Sequence, residues 1–237
     1  MSQTVFERYE KKYILTSAQY KELREHLNEF MQIDEYGLHT ISNIYFDTDT
    51  FELIRASIER PIYKEKFRLR SYGIPGQNDA VFLELKKKYK GVVYKRRVSM
   101  TLQQAMGYLE NRNYAEEKTQ ILTEIDWFFK IYDPVPKVYI AYDRIALFGK
   151  EDSNLRITFD SNIRWRDHDL DLSKGDYGDA IMNPNCFLME IKIPGAMPLW
   201  LSHLLTKLKI YSNSFSKYGT CYQKKILGHT IGGQNIA

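Results

Sequence analysis

Arginine, lysine and glutamate recur in this chain at two-residue spacing, with apolar residues between them. Lys66-Phe67-Arg68-Leu69-Arg70 alternates cation and apolar side chain, and Arg156-Ile157-Thr158-Phe159-Asp160 does the same. Leu83-Glu84-Leu85-Lys86 and Met189-Glu190-Ile191-Lys192 each set a carboxylate two residues before a lysine. Arg8, Glu10 and Lys12 share one parity, as do Lys95 and Arg97, and Tyr142 and Arg144. Alternate residues of a strand point to opposite faces, so each segment presents one charged and one apolar face. Arginine forks suit phosphate oxygens. Cations gathered on several strands, with a few carboxylates among them, suit a polyanion held with a divalent metal. Mg²⁺ or Mn²⁺ commonly holds substrate phosphates through one or two carboxylates. Glu190 is the first candidate ligand and Glu10 the second; Glu84 and Asp160 read as ion-pair partners of neighbouring cations.

A solvated sheet face is the competing reading of any one such segment. Repetition over about seven strands argues against it, because like charges on one open face repel each other. The elements that must carry these residues are legible from pattern. Strands are expected over 5–15, 41–47, 62–71, 137–148, 155–163 and 186–193. A hairpin is expected from 81–88 and 91–100, with Tyr89-Lys90-Gly91 at its tip. Thr16 with Gln19, and Thr101 with Gln104, have capping-box spacing and predict helix starts. Further helices are expected over 115–131, broken by Asp133-Pro134-Val135-Pro136, over 199–209, and over 215–227. The Asp-rich stretch 164–185 reads as loop. The architecture predicted is a single α+β domain over 1–228: an antiparallel β-barrel whose charged faces line a tunnel, with helices packed outside. A frayed tail is predicted over 229–237.

Composition sets limits. The chain has 237 residues, 43% hydrophobic and 27% charged, with a formal net charge of +4, so any strong basic character must be local. Eighteen tyrosines favour strands. Cys186 and Cys221 form no Cys-x-x-Cys pair and read as buried thiols. The first residues have no signal-peptide core, and no run has the length of a membrane helix, so a cytoplasmic location is expected, with any membrane association supplied by a partner. The Gly-x-x-x-x-Gly-Lys-Ser/Thr phosphate loop does not occur. The five histidines lack metal spacing, and Trp127, Trp165 and Trp200 read as packing residues. Cations inside a narrow tunnel cannot reach duplex phosphates, which argues against nucleic acid.

The pattern resembles the triphosphate tunnel metalloenzymes. Within them it is most similar to the catalytic domain of the vacuolar transporter chaperone (VTC) polyphosphate polymerases and their bacterial relatives. Arg8-Tyr9-Glu10-Lys11-Lys12-Tyr13, Lys66 to Tyr72, Glu84-Leu85-Lys86, Tyr142-Asp143-Arg144, Glu190-Ile191-Lys192 and Ser216-Lys217-Tyr218 carry the likeness. The hydrolases of that group open on Glu-x-Glu-x-Lys, and here Arg8 stands where their first Glu would be. The resemblance implies transfer of the γ-phosphoryl group of ATP to a growing polyphosphate chain, with Mn²⁺ or Mg²⁺ as cofactor. It implies that Lys12, Arg68, Arg70, Lys86, Arg144, Arg156 and Lys217 act in catalysis. Arg8, Lys66, Lys95, Arg97, Lys192 and Ser216 would bind phosphates, and Glu190 and Glu10 the metal. An inorganic triphosphatase and a non-catalytic polyphosphate-binding module are the alternatives. ATP and polyphosphate are the expected partners, with a membrane protein for product export and an oligomeric state the residues leave open.

Overall fold

The computed structural model describes residues 9–59, 61–90, 92–112, 119–226 and 228. Its strands and helices fall into two units. The first comprises Met1–Thr40, Tyr142–Ile163 and Ala180–Ser216; the second comprises Ile41–Ala141, Arg164–Asp179 and Lys217–Ala237. In chain order the elements are β1 (Tyr9–Thr16), α1 (Ser17–Phe30), β2 (Met31–Ile33), β3 (His39–Asp47), α2 (Glu52–Ile58) and β4 (Tyr63–Tyr72). Then come β5 (Ala80–Tyr89), β6 (Val92–Thr101), α3 (Leu102–Asn111), α4 (Gln120–Tyr132), β7 (Val135–Gly149) and β8 (Arg156–Arg166). The chain continues through β9 (Asp179–Ala180), β10 (Cys186–Ile193), α5 (Leu199–Lys207), β11 (Ser212–Asn213) and α6 (Lys217–Cys221), which runs into a π-helical turn, Tyr222–Ile226.

In the first unit the strand order is β11-β1-β10-β8-β7, and in the second it is β7-β3-β4-β5-β6. The ladders with a defined register are antiparallel. Among the described residues the strand path is open, with β11 and β6 at its ends. The expected barrel is therefore met as an antiparallel sheet with helices, not as a closed ring of hydrogen-bonded strands.

Strand parity decides what is buried. In the first unit Tyr13 and Leu15 of β1, Ile157 and Phe159 of β8, and Met189 and Ile191 of β10 join Leu23 and Leu27 of α1 and Leu201, Leu204 and Leu205 of α5. In the second, Phe67 and Leu69 of β4, Leu83 and Leu85 of β5 and Met100 of β6 pack against Leu102 and Ala105 of α3 and Ile125, Phe128 and Phe129 of α4. These are the apolar parities read from the sequence, and covering them with helices leaves the charged parities on the other face.

Both capping boxes form: the Thr16 and Thr101 hydroxyls accept the backbone N–H of Gln19 and Gln104, whose side chains reach back to the cap. Several expectations are corrected. Helix α4 starts at Gln120, capped by Thr119, so the expected start at 115 lies outside the described residues. Asp133 does end α4, in a left-handed conformation, but β7 begins at once and takes in Pro136.

The stretch 164–185 is more ordered than its composition suggests. Strand β8 runs on through Arg166, which is 2% exposed. Its guanidinium lies 3.5 Å from the Tyr139 ring centroid and 4.3 Å from that of Tyr177, and donates to the carbonyls of Asp169, Asp171 and Tyr177. One arginine thus closes a loop that apolar patterning could not reveal. Trp165 packs as expected, at 3% exposure, and Trp200 stacks on Phe30, but Trp127 is 60% exposed. Cys221 is buried as expected, whereas Cys186 is only half-buried; both are free thiols. The ends of the first strand before Tyr9, the hairpin residue Gly91 and the tail over 229–237 lie outside the described residues.

Candidate phosphate-binding site

In the second unit the cations form cross-strand rows. Arg68 stands across from Tyr45 on one side and Glu84 on the other, and Glu84 stands across from Arg97. The next row is Lys66, Lys86 and Lys95. Arg70 stands between Asn43 and Phe82.

Glu84, 2% exposed, is the hub. Arg68 Nε donates to its Oε2 at 2.7 Å and Arg97 Nε to its Oε1 at 2.6 Å; Lys95 Nζ lies 3.0 Å from Oε1 and Arg70 Nη1 3.8 Å from Oε2. Burial alone would raise the Glu84 pKa, but the charges of Arg68, Arg70, Lys95 and Arg97 override it and hold the carboxyl well below the usual range. Burial pushes Lys95 down to about 8, against the pull of Glu84, although 49% of its side chain still reaches solvent. One carboxylate organises four cations, so the cluster keeps a positive excess for a polyanion.

Neutral groups aim the arginines. Tyr45 Oη accepts from Arg68 Nη1 at 3.0 Å, and Asn43 Oδ1 accepts from Arg70 Nε at 2.8 Å while its amide donates to the Ile140 carbonyl. Tyr72 Oη accepts from Arg97 Nη2 at 3.1 Å, and the Arg97 guanidinium lies 4.4 Å from the Phe82 ring centroid. Of these four only Tyr72, at the end of the Lys66 to Tyr72 stretch, figured in the sequence reading, and none was given a role. Asn43 and Tyr45 share a parity in Ser-Asn-Ile-Tyr-Phe-Asp, but both faces of β3 are buried, so the usual polar–apolar alternation is missing there. Tyr218, beside Lys217, donates to the buried Asp47 carboxylate at 2.9 Å, and Asp47 also accepts the backbone N–H groups of Thr48, Leu53 and Ile54. That contact ties the start of α6 to the end of β3. Burial raises the Asp47 pKa in spite of those donors.

The first unit has its own charged face. Lys12 stands across from Glu190, and Glu10 from Lys192, on β1 and β10; Glu190 in turn faces Thr158, and Lys192 faces Arg156, on β8. Lys12 Nζ lies 3.6 Å from Glu10 and donates to the Phe215 carbonyl at 3.0 Å, one residue before Ser216. Lys192 Nζ lies 3.5 Å from Glu190. Arg144 grips the fully buried Asp160 with two bonds, Nε to Oδ1 at 2.6 Å and Nη2 to Oδ2 at 2.8 Å. Burial would lower the Arg144 pKa, but Asp160, then Tyr142 and Glu190, raise it well above the usual value. Arg8 lies outside the described residues.

Among the described residues no three acidic, histidine or cysteine side chains converge as a closed metal cage. A substrate-bridged Mg²⁺ or Mn²⁺ needs fewer. Glu190 and Glu10 are diagonal neighbours across the β1–β10 ladder, and the buried Thr158 hydroxyl opposite Glu190 has no hydrogen-bond partner. Two carboxylates beside an unsatisfied oxygen fit such an ion.

Solved structures share this fold. A candidate adenylate cyclase from Bacillus halodurans superposes with a TM-score of 0.55 at 16% identity, covering 90% of this chain and 96% of its own. HpAC1 from Hippeastrum, a candidate adenylyl cyclase with a dominant triphosphatase activity, superposes with a TM-score of 0.54 at 18% identity, covering 88% of this chain and 92% of its own. At these identities the likeness shows the fold alone. Residues 7–226 match the model of the VTC domain, and the chain belongs to that family. Subunit 4 of the vacuolar transporter chaperone complex is 24% identical over 232 residues in Trypanosoma cruzi, covering 80% of this chain and 28% of that protein. Its Trypanosoma brucei counterpart is 27% identical over 162 residues, covering 56% of this chain and 20% of that protein. The chain thus spans less than a third of the length of these relatives.

Proposed function

We propose that this VTC domain is a polyphosphate polymerase that moves the γ-phosphoryl group of ATP onto an inorganic phosphate chain. The observation that carries the reading is the convergence of Arg68, Arg70, Lys95 and Arg97 on the single carboxylate of Glu84. Such an array is built for several phosphoryl groups in a row, and the family match over residues 7–226 supports that substrate class.

Phosphoryl transfer asks mainly for charge neutralisation and in-line positioning. A terminal oxygen of the acceptor chain forms the new P–O bond to the γ-phosphorus. The bond from that phosphorus to the β–γ bridging oxygen breaks, and ADP leaves with the electron pair. The acceptor oxygen is already ionised, so no general base is needed. Arg68, Arg70 and Lys86 in the second unit, and Arg144 and Arg156 in the first, bind phosphoryl oxygens and neutralise their charge. Lys12, Lys66, Lys95, Arg97, Lys192 and Arg8 bind further phosphates of the substrates, as do Ser216 and Lys217. Glu190 and Glu10 would hold Mn²⁺ or Mg²⁺, which supplies further neutralisation of the phosphates.

A triphosphatase is the second reading, favoured by the activity described for the Hippeastrum protein of the same fold. One experiment separates them. Protein incubated with ATP and Mn²⁺ should release ADP and build a polyphosphate ladder on a gel. Free phosphate without a ladder would replace the polymerase by the hydrolase. Neither product, with ATP still bound, would make the domain a binding module.

A further inference from the structure

The ends of β4, β5 and β6 carry exposed side chains that neither the core nor the phosphate rows use. Tyr63 stands across from Tyr89, and Tyr89 across from Val92. The backbone N–H of Lys90 donates to the Ile62 carbonyl at 2.9 Å, which brings Ile62 to the same end. Ile62 is 68% exposed, Tyr89 46% and Tyr63 45%. Trp127 of α4 lines a cleft of about 420 Å³ with Lys87, Lys130, Glu124 and Asp126, and Lys87 is two residues before Tyr89 on β5.

Cations outnumber the acids here. From Lys86 to Arg97 the chain carries seven lysines and arginines and no acidic residue; Lys86, Lys95 and Arg97 belong to the phosphate rows and Lys87 and Arg96 pair with Glu124, which leaves Lys88 and Lys90 at this end. The nearby acids are already engaged: Glu124 pairs with Lys87 at 3.2 Å and Arg96 at 3.1 Å, Glu65 with Lys87 at 3.7 Å, and Asp126 accepts from Tyr108. Two of the exposed rings have a lysine beside them. Lys90 Nζ is 5.4 Å from the Tyr89 ring centroid, and Lys130 Nζ is 5.5 Å from that of Trp127.

We propose that this end of the second unit docks on an anionic lipid surface. Trp and Tyr favour the headgroup level of a bilayer, where one edge of the ring is apolar and the other wet. Lysines beside them lay their stems along the apolar layer and keep the ammonium among lipid phosphates. Free polyphosphate would account for the lysines but leaves Ile62, Tyr89 and Trp127 without a purpose. The buried centre of a protein interface is depleted in lysine, whereas here lysines are interleaved with the rings. No described helix is long and apolar enough to cross a membrane, so the contact would be peripheral.

The test is co-sedimentation of the full chain with phosphatidylcholine vesicles and with vesicles in which one lipid in three is phosphatidylglycerol, alongside tryptophan emission. The expected result is binding to the anionic vesicles only, reversed by salt, with a blue shift of the emission. Trp127→Phe should remove the shift, because Trp165 is buried and Trp200 stacks on Phe30. Lys88→Glu with Lys90→Glu should weaken binding about tenfold or more, with the circular dichroism melt unchanged. No vesicle binding would overturn the proposal and leave an acidic protein as the occupant. Equal binding to neutral vesicles, a shift that survives Trp127→Phe, or binding indifferent to the charge reversal would also overturn it.

Discussion

Lys12 on β1 lies directly across the ladder from Glu190 on β10, and two residues along the same face the polarity inverts, with Glu10 across from Lys192. The alternation neutralises each carboxylate locally while keeping both on one face. Removing Glu190 therefore takes away the proposed metal ligand without emptying the face of negative charge. Glu190→Gln should raise the Mn²⁺ concentration needed for half-maximal ATP turnover by about tenfold or more, and Glu84→Gln should raise it less. A metal titration of both variants checks this; equal shifts would move the ion away from Glu190.

Glu84 has the opposite character. Its amide analogue would leave Arg68, Arg70, Lys95 and Arg97 crowded around a neutral group. Glu84→Gln should cost about 3–5 kcal/mol in stability, the usual penalty for breaking a buried ion pair from one side. Urea unfolding measures it, and a loss well under 1 kcal/mol would show that solvent already satisfies these cations. Because the folded pKa of Glu84 is depressed, its contribution is fully present above the ordinary carboxylate value near 4.5 and is lost as pH falls below it.

Arg68→Ala or Arg70→Ala should lower tripolyphosphate affinity while the protein stays folded, because the side chains that aim them, Tyr45 and Asn43, remain in place. The loss should be on the order of tenfold or more for each, corresponding to about 1.5–3 kcal/mol for a charged hydrogen bond. Calorimetry reads it directly; unchanged binding by both variants would remove phosphate binding from this cluster.

Lys95 should give that affinity a pH dependence. Its pKa of about 8 means the ammonium discharges as pH rises through that value, so polyanion affinity should fall between pH 7 and 9. Lys95→Met should flatten this part of the profile. Stability should move the other way: the unfolded chain keeps the lysine proton up to its ordinary value near 10.5, so over the interval above about 8 the fold gains stability as pH rises. A profile that Lys95→Met leaves unchanged would assign the dependence to another group.

The two capping boxes predict a smaller effect. Thr16→Ala and Thr101→Ala each remove an acceptor for the N3 backbone N–H, and each should cost about 1 kcal/mol. Thermal denaturation checks both, and retention of full stability would mean that tertiary packing alone fixes the starts of α1 and α3.

Much of this molecule could be read before folding because the signals are local. Period-two alternation placed Phe67 and Leu69 on one face and Arg68 and Arg70 on the other, since a strand allows no other arrangement. Thr16 with Gln19 marked a helix start for an equally local reason: a side chain three residues away can satisfy an end of the backbone that the helix leaves open. What the sequence determined by itself was therefore the parity of the strands that alternate charged and apolar residues, the helix starts and the charge of those strand faces. Only the tertiary structure decided which charges meet. That Glu84 collects four cations, that Asp160 is consumed by Arg144 while Glu190 stands opposite Lys12 and Thr158, and that Arg166 closes a polar loop all depend on strand register and loop return. Register is set by long-range pairing between segments far apart in the chain, and a one-residue slip would exchange every partner while leaving the sequence pattern unchanged.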